Sequence, residues 1–140
     1  MKTLMKYAAA AAAGAIAAGS IAFAQGPARP PRAIISIYHA APGHQEALLQ
    51  WLAQQERISA AAGLPTSQLY AHTDGDSWDY LLVAPATTDA QDDAFDAAAA
   101  KMGAVSGPKA GIELRKHIQS HTDTFVVGPM TAAQMLDRLK

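Results

Sequence analysis

Four short β-rich segments and two long amphipathic helices, arranged β-α-β-β-α-β, predict an α+β domain. That order is the ferredoxin-like split βαβ arrangement: a four-stranded antiparallel sheet with its helices on one face. Two observations carry the assignment. Turn residues separate the second and third β-rich segments as in a hairpin, and apolar residues recur at helical spacing after the first and third segments.

The elements follow in order. Residues 33–40 contain Ile34-Ile35-Ser36-Ile37-Tyr38, a β-branched run that reads as the first strand. Pro42-Gly43 ends it and opens a helix to about residue 62, whose apolar stripe is Leu48, Trp51, Leu52, Gln55, Ile58 and Ala62, with Gly63 as its C-terminal cap. Residues 67–73 and 78–85 form the second and third strands around the turn Asp74-Gly75-Asp76-Ser77. Thr88-Asp89-Ala90-Gln91 has capping-box spacing, and the acidic residues Asp89, Asp92 and Asp93 suit a helix N-terminus. This second long helix runs to about Met102 and buries Phe95, Ala98, Ala99 and Met102. A loop over residues 103–111 centres on Gly107-Pro108; a short helix over residues 112–120 leads to a fourth strand at residues 122–127. Gly128-Pro129 breaks that strand, and Thr131-Ala132-Ala133-Gln134 caps a last short helix.

Residues 1–24 stand apart. A basic start (Lys2, Lys6), an Ala-rich weakly apolar run and a closing Ala22-Phe23-Ala24 are the marks of a cleaved signal peptide, with Gln25 as the new N-terminus. A spanning helix needs about 20 strongly apolar residues, and this run is mostly Ala and Gly. Residues 25–32, Gln-Gly-Pro-Ala-Arg-Pro-Pro-Arg, form a Pro-rich linker, and residues 33–140 the folded domain. Cleavage leaves 116 of the 140 residues and moves the formal charge from −1 to −3, since Lys2 and Lys6 are lost. These figures exclude a polytopic membrane protein, a polybasic nucleic-acid binder and a disordered chain. With no Cys, the chain has neither a lipid-anchored form nor disulfides nor thiol chemistry. The expected location is the periplasm or the secreted fraction, with no membrane association after cleavage.

Successive strand side chains alternate faces. One set holds Ile35, Ile37, Leu69, Ala71, Leu81, Val83, Phe125 and Val127, and reads as the helix-facing core. The other holds Ile34, Ser36, Tyr38, Tyr70, His72, Tyr80, Leu82, Ala84, Thr124 and Val126. It is too apolar and aromatic for a solvated face, and such a surface marks a partner or a ligand. Four strands cannot close a barrel, but two sheets face to face can. The expectation is a homodimer around a partly polar cavity.

The opening Tyr38-His39-Ala40-Ala41-Pro42-Gly43-His44-Gln45-Glu46-Ala47-Leu48-Leu49-Gln50-Trp51 resembles the strand–Pro-Gly–helix start of dimeric α+β barrel proteins of the antibiotic biosynthesis monooxygenase-like type. The hairpin Leu69-Tyr70 to Asp79-Tyr80-Leu81-Leu82-Val83, and the last strand entered through Ser120-His121-Thr122-Asp123-Thr124-Phe125, are similar to theirs. The likeness spans residues 33–127. It implies a dimeric α+β barrel, and its members include cofactor-free oxygenases of aromatic substrates, haem-degrading enzymes, isomerases and proteins of no known reaction. The haem-degrading members rely on an Asn and a helix His. This chain has no Asn and no His in its second long helix, so no catalytic residue is carried over.

The candidate site is therefore read from the residues themselves: Tyr38, Tyr70, His72 and Tyr80 on one alternation set, with Thr124 beside them. Aromatic walls with a few hydroxyls and one imidazole suit a small apolar, aromatic or quinone-like ligand. His72 would serve as general base and Tyr38 as the hydroxyl that orients a substrate oxygen. No cofactor is called for. The function expected is an exported small-molecule binder, with cofactor-independent monooxygenase chemistry on that molecule as its enzymatic form. Two alternatives stand beside it. One is a non-catalytic dimeric binding or structural protein, whose aromatic face serves only to pair subunits. The other is a His-dependent metal binder, using Glu113-x3-His117-x3-His121 at i, i+4 spacing or His39 and His44 around the Pro-Gly turn. Asp74-Gly75-Asp76-Ser77 lacks the sixth-position Gly and the twelfth-position Glu of a calcium loop. Residues 103–109 miss the spacing of a phosphate loop.

Overall fold

The computed structural model describes residues 31–140. The expected signal peptide and all but the last two residues of the Pro-rich linker lie outside them. Eight elements follow in chain order: β1 (Arg32–Ala40), α1 (Gln45–Ala61), β2 (Gln68–Ala71), β3 (Tyr80–Pro85), α2 (Asp89–Lys101), α3 (Pro108–Leu114), β4 (Ile118–Val127) and α4 (Ala132–Asp137). The strands form one antiparallel sheet in the order β2-β3-β1-β4. This is the ferredoxin-like α+β arrangement that the order of elements predicts.

Helix ends are set by local chemistry. At the end of α1, Gly63 adopts φ +70°; its N–H bonds to the Ala60 carbonyl at 3.1 Å and the Leu64 N–H to that of Ser59 at 2.9 Å. That pair of bonds is a Schellman motif. Gly103 ends α2 in the same way, with Ala104 N–H donating to Ala99 at 2.9 Å. Thr131 and Gln134 form a reciprocal capping box at the start of α4.

The core divides in two. Tyr38 and Ala40 of β1, Leu48 and Leu52 of α1, Leu114 of α3 and Ile118 of β4 form the larger part, with Trp51, Tyr80 and Leu82 packed against it. Ile58 of α1 meets Ala98 and Ala99 of α2 in the smaller. A register shift in the β1–β4 pairing shapes the first cluster. His39 pairs with Ser120 but Ala40 with Ile118, so Gln119 is the extra residue of a bulge. The bulge brings apolar Ile118, instead of Gln119, beside Ala40 in the core.

Several expectations are corrected. The short helix is Pro108–Leu114, not residues 112–120. Proline has no N–H to lose at a first helical position, so Gly107-Pro108 starts the helix that the loop reading missed. In turn β4 begins at Ile118. Strand β2 is shorter than expected, and residues 72–79 connect it to β3. Met102 is exposed, as the residue that caps the C-terminal end of α2.

The face assignment is inverted for β1 and β3, while Leu69 and Ala71 of β2 and Phe125 and Val127 of β4 lie on the helix side as expected. Tyr38 is 5% exposed, and it packs with Ala40 beneath α1, so Ser36, Tyr38, Tyr80 and Leu82 lie on the helix-covered face. Ile35, Ile37, Leu81 and Val83 lie on the open one, half-buried by one another. Cross-strand partners share a face, so Tyr70 (opposite Leu81) and Thr124 (opposite Ile35) join the open side. Phe125 and Val127 do point to the helix side but stay exposed at the sheet edge, Phe125 at 70%.

Candidate functional site

The structure separates the five residues singled out from the sequence. Tyr38 and Tyr80 are direct cross-strand partners beneath the helices. Tyr70 stands on the opposite face, half exposed, with its hydroxyl donating to Gln68 Oε1 at 3.0 Å. Thr124 is exposed on that same face. His72 lies past the end of β2, where its N–H donates to the Asp79 carbonyl at 3.0 Å and its ring sits 5.2 Å from that of Trp78. His72 Nε2 is enclosed without a hydrogen-bond partner. One constellation thus becomes three places, and of its residues Tyr38 lines a cavity.

That cavity lies between α1 and the covered face of the sheet. Its volume is ≈ 170 Å³. Tyr38, Leu82 and Ala84 form the sheet wall, Trp51, Leu52, Gln55 and Ser59 the helix wall, and Leu64, Pro65 and Thr87 the rim. The helical spacing of Trp51, Gln55 and Ser59 follows from α1 lying along the sheet, so one stripe of its turns faces the cavity. Ser59 and Ala84 contribute short side chains, which leaves the gap open. The wall is mostly apolar. Trp51 Nε1 is enclosed with no hydrogen-bond partner, so the indole has an unspent donor.

The Tyr38 phenol is pushed above its usual pKa of 10.0, chiefly by burial, with Ser36 opposing through a hydrogen bond and the Asp123 charge adding to the rise. Tyr38 therefore stays protonated throughout the physiological range and presents an O–H donor. Tyr80 is raised as well, by burial and then by the neighbouring Asp79 charge. Glu56 is the one charged side chain among the residues lining the cavity. With two donors, aromatic walls and no lining cation, the site suits a neutral ring bearing an oxygen.

Sequence reasoning placed Trp51 in the core, put Leu82 and Ala84 in the set facing a partner or ligand without naming them as site residues, and left out Ser59. The helical stripe of α1 already carried the signal for Trp51 and Gln55, since a polar Gln within an apolar stripe marks a place where the packing opens. The metal alternative loses its geometry: Glu113 is in α3, His117 follows it and His121 is in β4, so the three share no helix. Among the described residues no group of three or more His, Asp or Glu side chains is set to hold a metal. Nor is any described helix long and apolar enough to cross a membrane.

Solved structures share the architecture. SnoaB, a cofactor-independent oxygenase from Streptomyces nogalater, superposes in a mutant form with a TM-score of 0.50 at 18% identity, over 74% of this chain and 97% of that one. PA3566 from Pseudomonas aeruginosa gives 0.48 at 19% identity, over 75% of this chain and 100% of the other. A dimeric ferredoxin-like protein of unknown function from Thermobifida fusca gives 0.47 at 11%, over 72% and 93%. No protein-family model matches the sequence. No curated protein matches it either. The likeness supports the ferredoxin-like α+β fold.

Proposed function

We propose that the protein binds a neutral single-ring aromatic molecule in the cavity beneath α1, and that it oxidises that molecule with dioxygen. One observation carries the reading: a partly open cleft of ≈ 170 Å³ walled by Tyr38, Trp51 and Leu82, beside an unpartnered indole N–H. An apolar cavity of about 150 Å³ holds benzene, so the cleft takes one ring. The Tyr38 and Trp51 donors bind the ring oxygen and stabilise the anion that forms when its proton leaves. An electron-rich phenolate then supplies the electrons itself: phenol and dioxygen give quinone and water, one oxygen atom entering the ring. The activity named for SnoaB agrees with this chemistry.

The open face completes the proposal. Ile35, Ile37, Leu81, Val83 and Val126 make a continuous apolar surface on one side of the sheet. A second copy of the chain is the partner that suits it, and the pair would form the closed dimeric barrel. The mature protein, released from residues 1–24, would work in the periplasm or outside the cell. The same apolar face favours a second reading, in which the dimer binds its ligand without reaction. Oxygen uptake with phenol and its methyl- and methoxy-substituted relatives separates the two. Catalysis predicts consumption of one dioxygen per ring with quinone appearing, and its loss in Tyr38→Phe. Saturable binding with no uptake above buffer would leave the non-catalytic reading.

A further inference from the structure

The cavity beneath α1 has two unlike ends. A short turn joins β1 to α1, so the helix runs back along the strand. Trp51 therefore stands by Tyr38 and Leu82, and Ser59, about two turns further along the helix, by Ala84 and Pro85. The first end offers an indole N–H and a phenol. The second offers the hydroxyls of Ser59 and Ser67, since Thr87 at the rim donates its own to Asp92 at 2.6 Å.

The cleft continues past its second end. A groove of ≈ 570 Å³ adjoins it, and Glu56, Ser59, Leu64 and Ser67 line both. The groove adds Arg57 and Thr66. It thus carries an anion and a cation on consecutive residues of α1, both exposed. The ion pairs among the described residues join Lys116 to Glu113, His121 to Asp123 and Lys140 to Asp137. Glu56 and Arg57 take part in none of these, so each charge is open to a ligand.

Spacing selects the kind of molecule that uses both places. At 1.5 Å per residue, Trp51 lies about 8 Å from Glu56 and about 9 Å from Arg57 along the helix axis. That is the reach of a phenol oxygen, across its ring, to charged groups on the second carbon beyond it. A ring with no such arm leaves both charges to water. An arm bearing only a carboxylate meets Glu56 with like charge, and one bearing only an ammonium does the same to Arg57. An arm with both groups satisfies both residues and keeps the ligand's net charge at zero.

We propose that the ligand is a free 4-hydroxyphenyl amino acid of the tyrosine type. The proposal rests on the cavity reading above and names the class of ring that the cleft takes. The ring lies in the cleft with its hydroxyl at Tyr38 and Trp51. The arm passes Ser59 and Ser67 into the adjoining groove, where Glu56 accepts from the ammonium and the Arg57 guanidinium donates to the carboxylate as a two-pronged partner. Both residues sit at the surface, where water weakens each pair. They choose among phenols, while burial of the ring supplies most of the affinity.

The test compares L-tyrosine, tyramine, 3-(4-hydroxyphenyl)propionate and p-cresol, which share the ring and differ in the arm. Whole protein is titrated into each and binding is read from the ligand's NMR signals. L-tyrosine is expected to bind about fivefold or more tighter than p-cresol. Glu56→Gln is expected to weaken L-tyrosine and tyramine by about threefold and to leave the other two unchanged. Arg57→Gln is expected to weaken L-tyrosine and the propionate by a similar factor and to spare tyramine and p-cresol. If p-cresol binds and L-tyrosine binds no tighter, or its advantage survives in both variants, the proposal is overturned and the cavity stands. If neither p-cresol nor L-tyrosine binds wild-type protein, both readings are overturned.

Discussion

At the residue scale Tyr38 joins stability and function in one side chain. Its ring closes the larger core cluster and also walls the cavity beneath α1. Because the folded phenol pKa is raised above 10.0, chiefly by burial, the native state holds this proton more tightly than the unfolded chain does. The stability tied to that proton is complete below the unfolded pKa and is lost as pH rises through the folded one. Urea unfolding of wild type and Tyr38→Phe, followed upward from neutrality, is expected to show a steeper alkaline loss in wild type, beginning near pH 10. Parallel curves would contradict this. Tyr38 was legible as a site residue because a tyrosine directly after the strand isoleucines is conspicuous. Its face was not legible, since β1 offers apolar residues on both sides: Ile34 on one, Ile35 and Ile37 on the other. Alternation sorts side chains into two sets but does not say which set the helices cover.

At the scale of elements, capping chemistry explains which boundaries the sequence revealed. Gly63 was readable as a cap because the apolar stripe of α1 ends just before it, and the two Schellman bonds bear this out. A Cβ at Gly63 would meet no neighbouring atom, so the cost of Gly63→Ala is backbone strain alone at φ +70°. We expect a loss of about 1 kcal/mol in denaturant unfolding with unchanged slope; no loss would contradict the left-handed cap. The α3–β4 boundary was harder, since Pro108 can break a helix or begin one. The bulge at Gln119 left no mark in residue types, and it decides that Ile118 is buried. His121 and Asp123 could be paired with Tyr38 and Ser36 only once that register was known.

At the scale of the whole molecule, the order of elements and the hairpin were enough to predict the antiparallel ferredoxin-like sheet. The open face was also foreseen as a class of surface, although its β1 and β3 members were exchanged with those beneath the helices. That exchange moves the candidate cavity from a subunit interface into the single chain. It follows that dimer formation and ligand binding are separable. Ile37→Asp, placing a charge at the centre of the open face, is expected to yield monomer in sedimentation velocity. A wild-type protein that is already monomeric would remove the dimer from the account.

The cavity is the central claim, and Trp51 reports on it. In Trp78→Phe protein Trp51 is the only indole, and p-cresol can be titrated against its fluorescence. The account predicts a saturable change that disappears when Ala84→Leu fills the space beside Leu82. A response that never saturates, or one that survives Ala84→Leu, would place the ligand elsewhere and contradict the account.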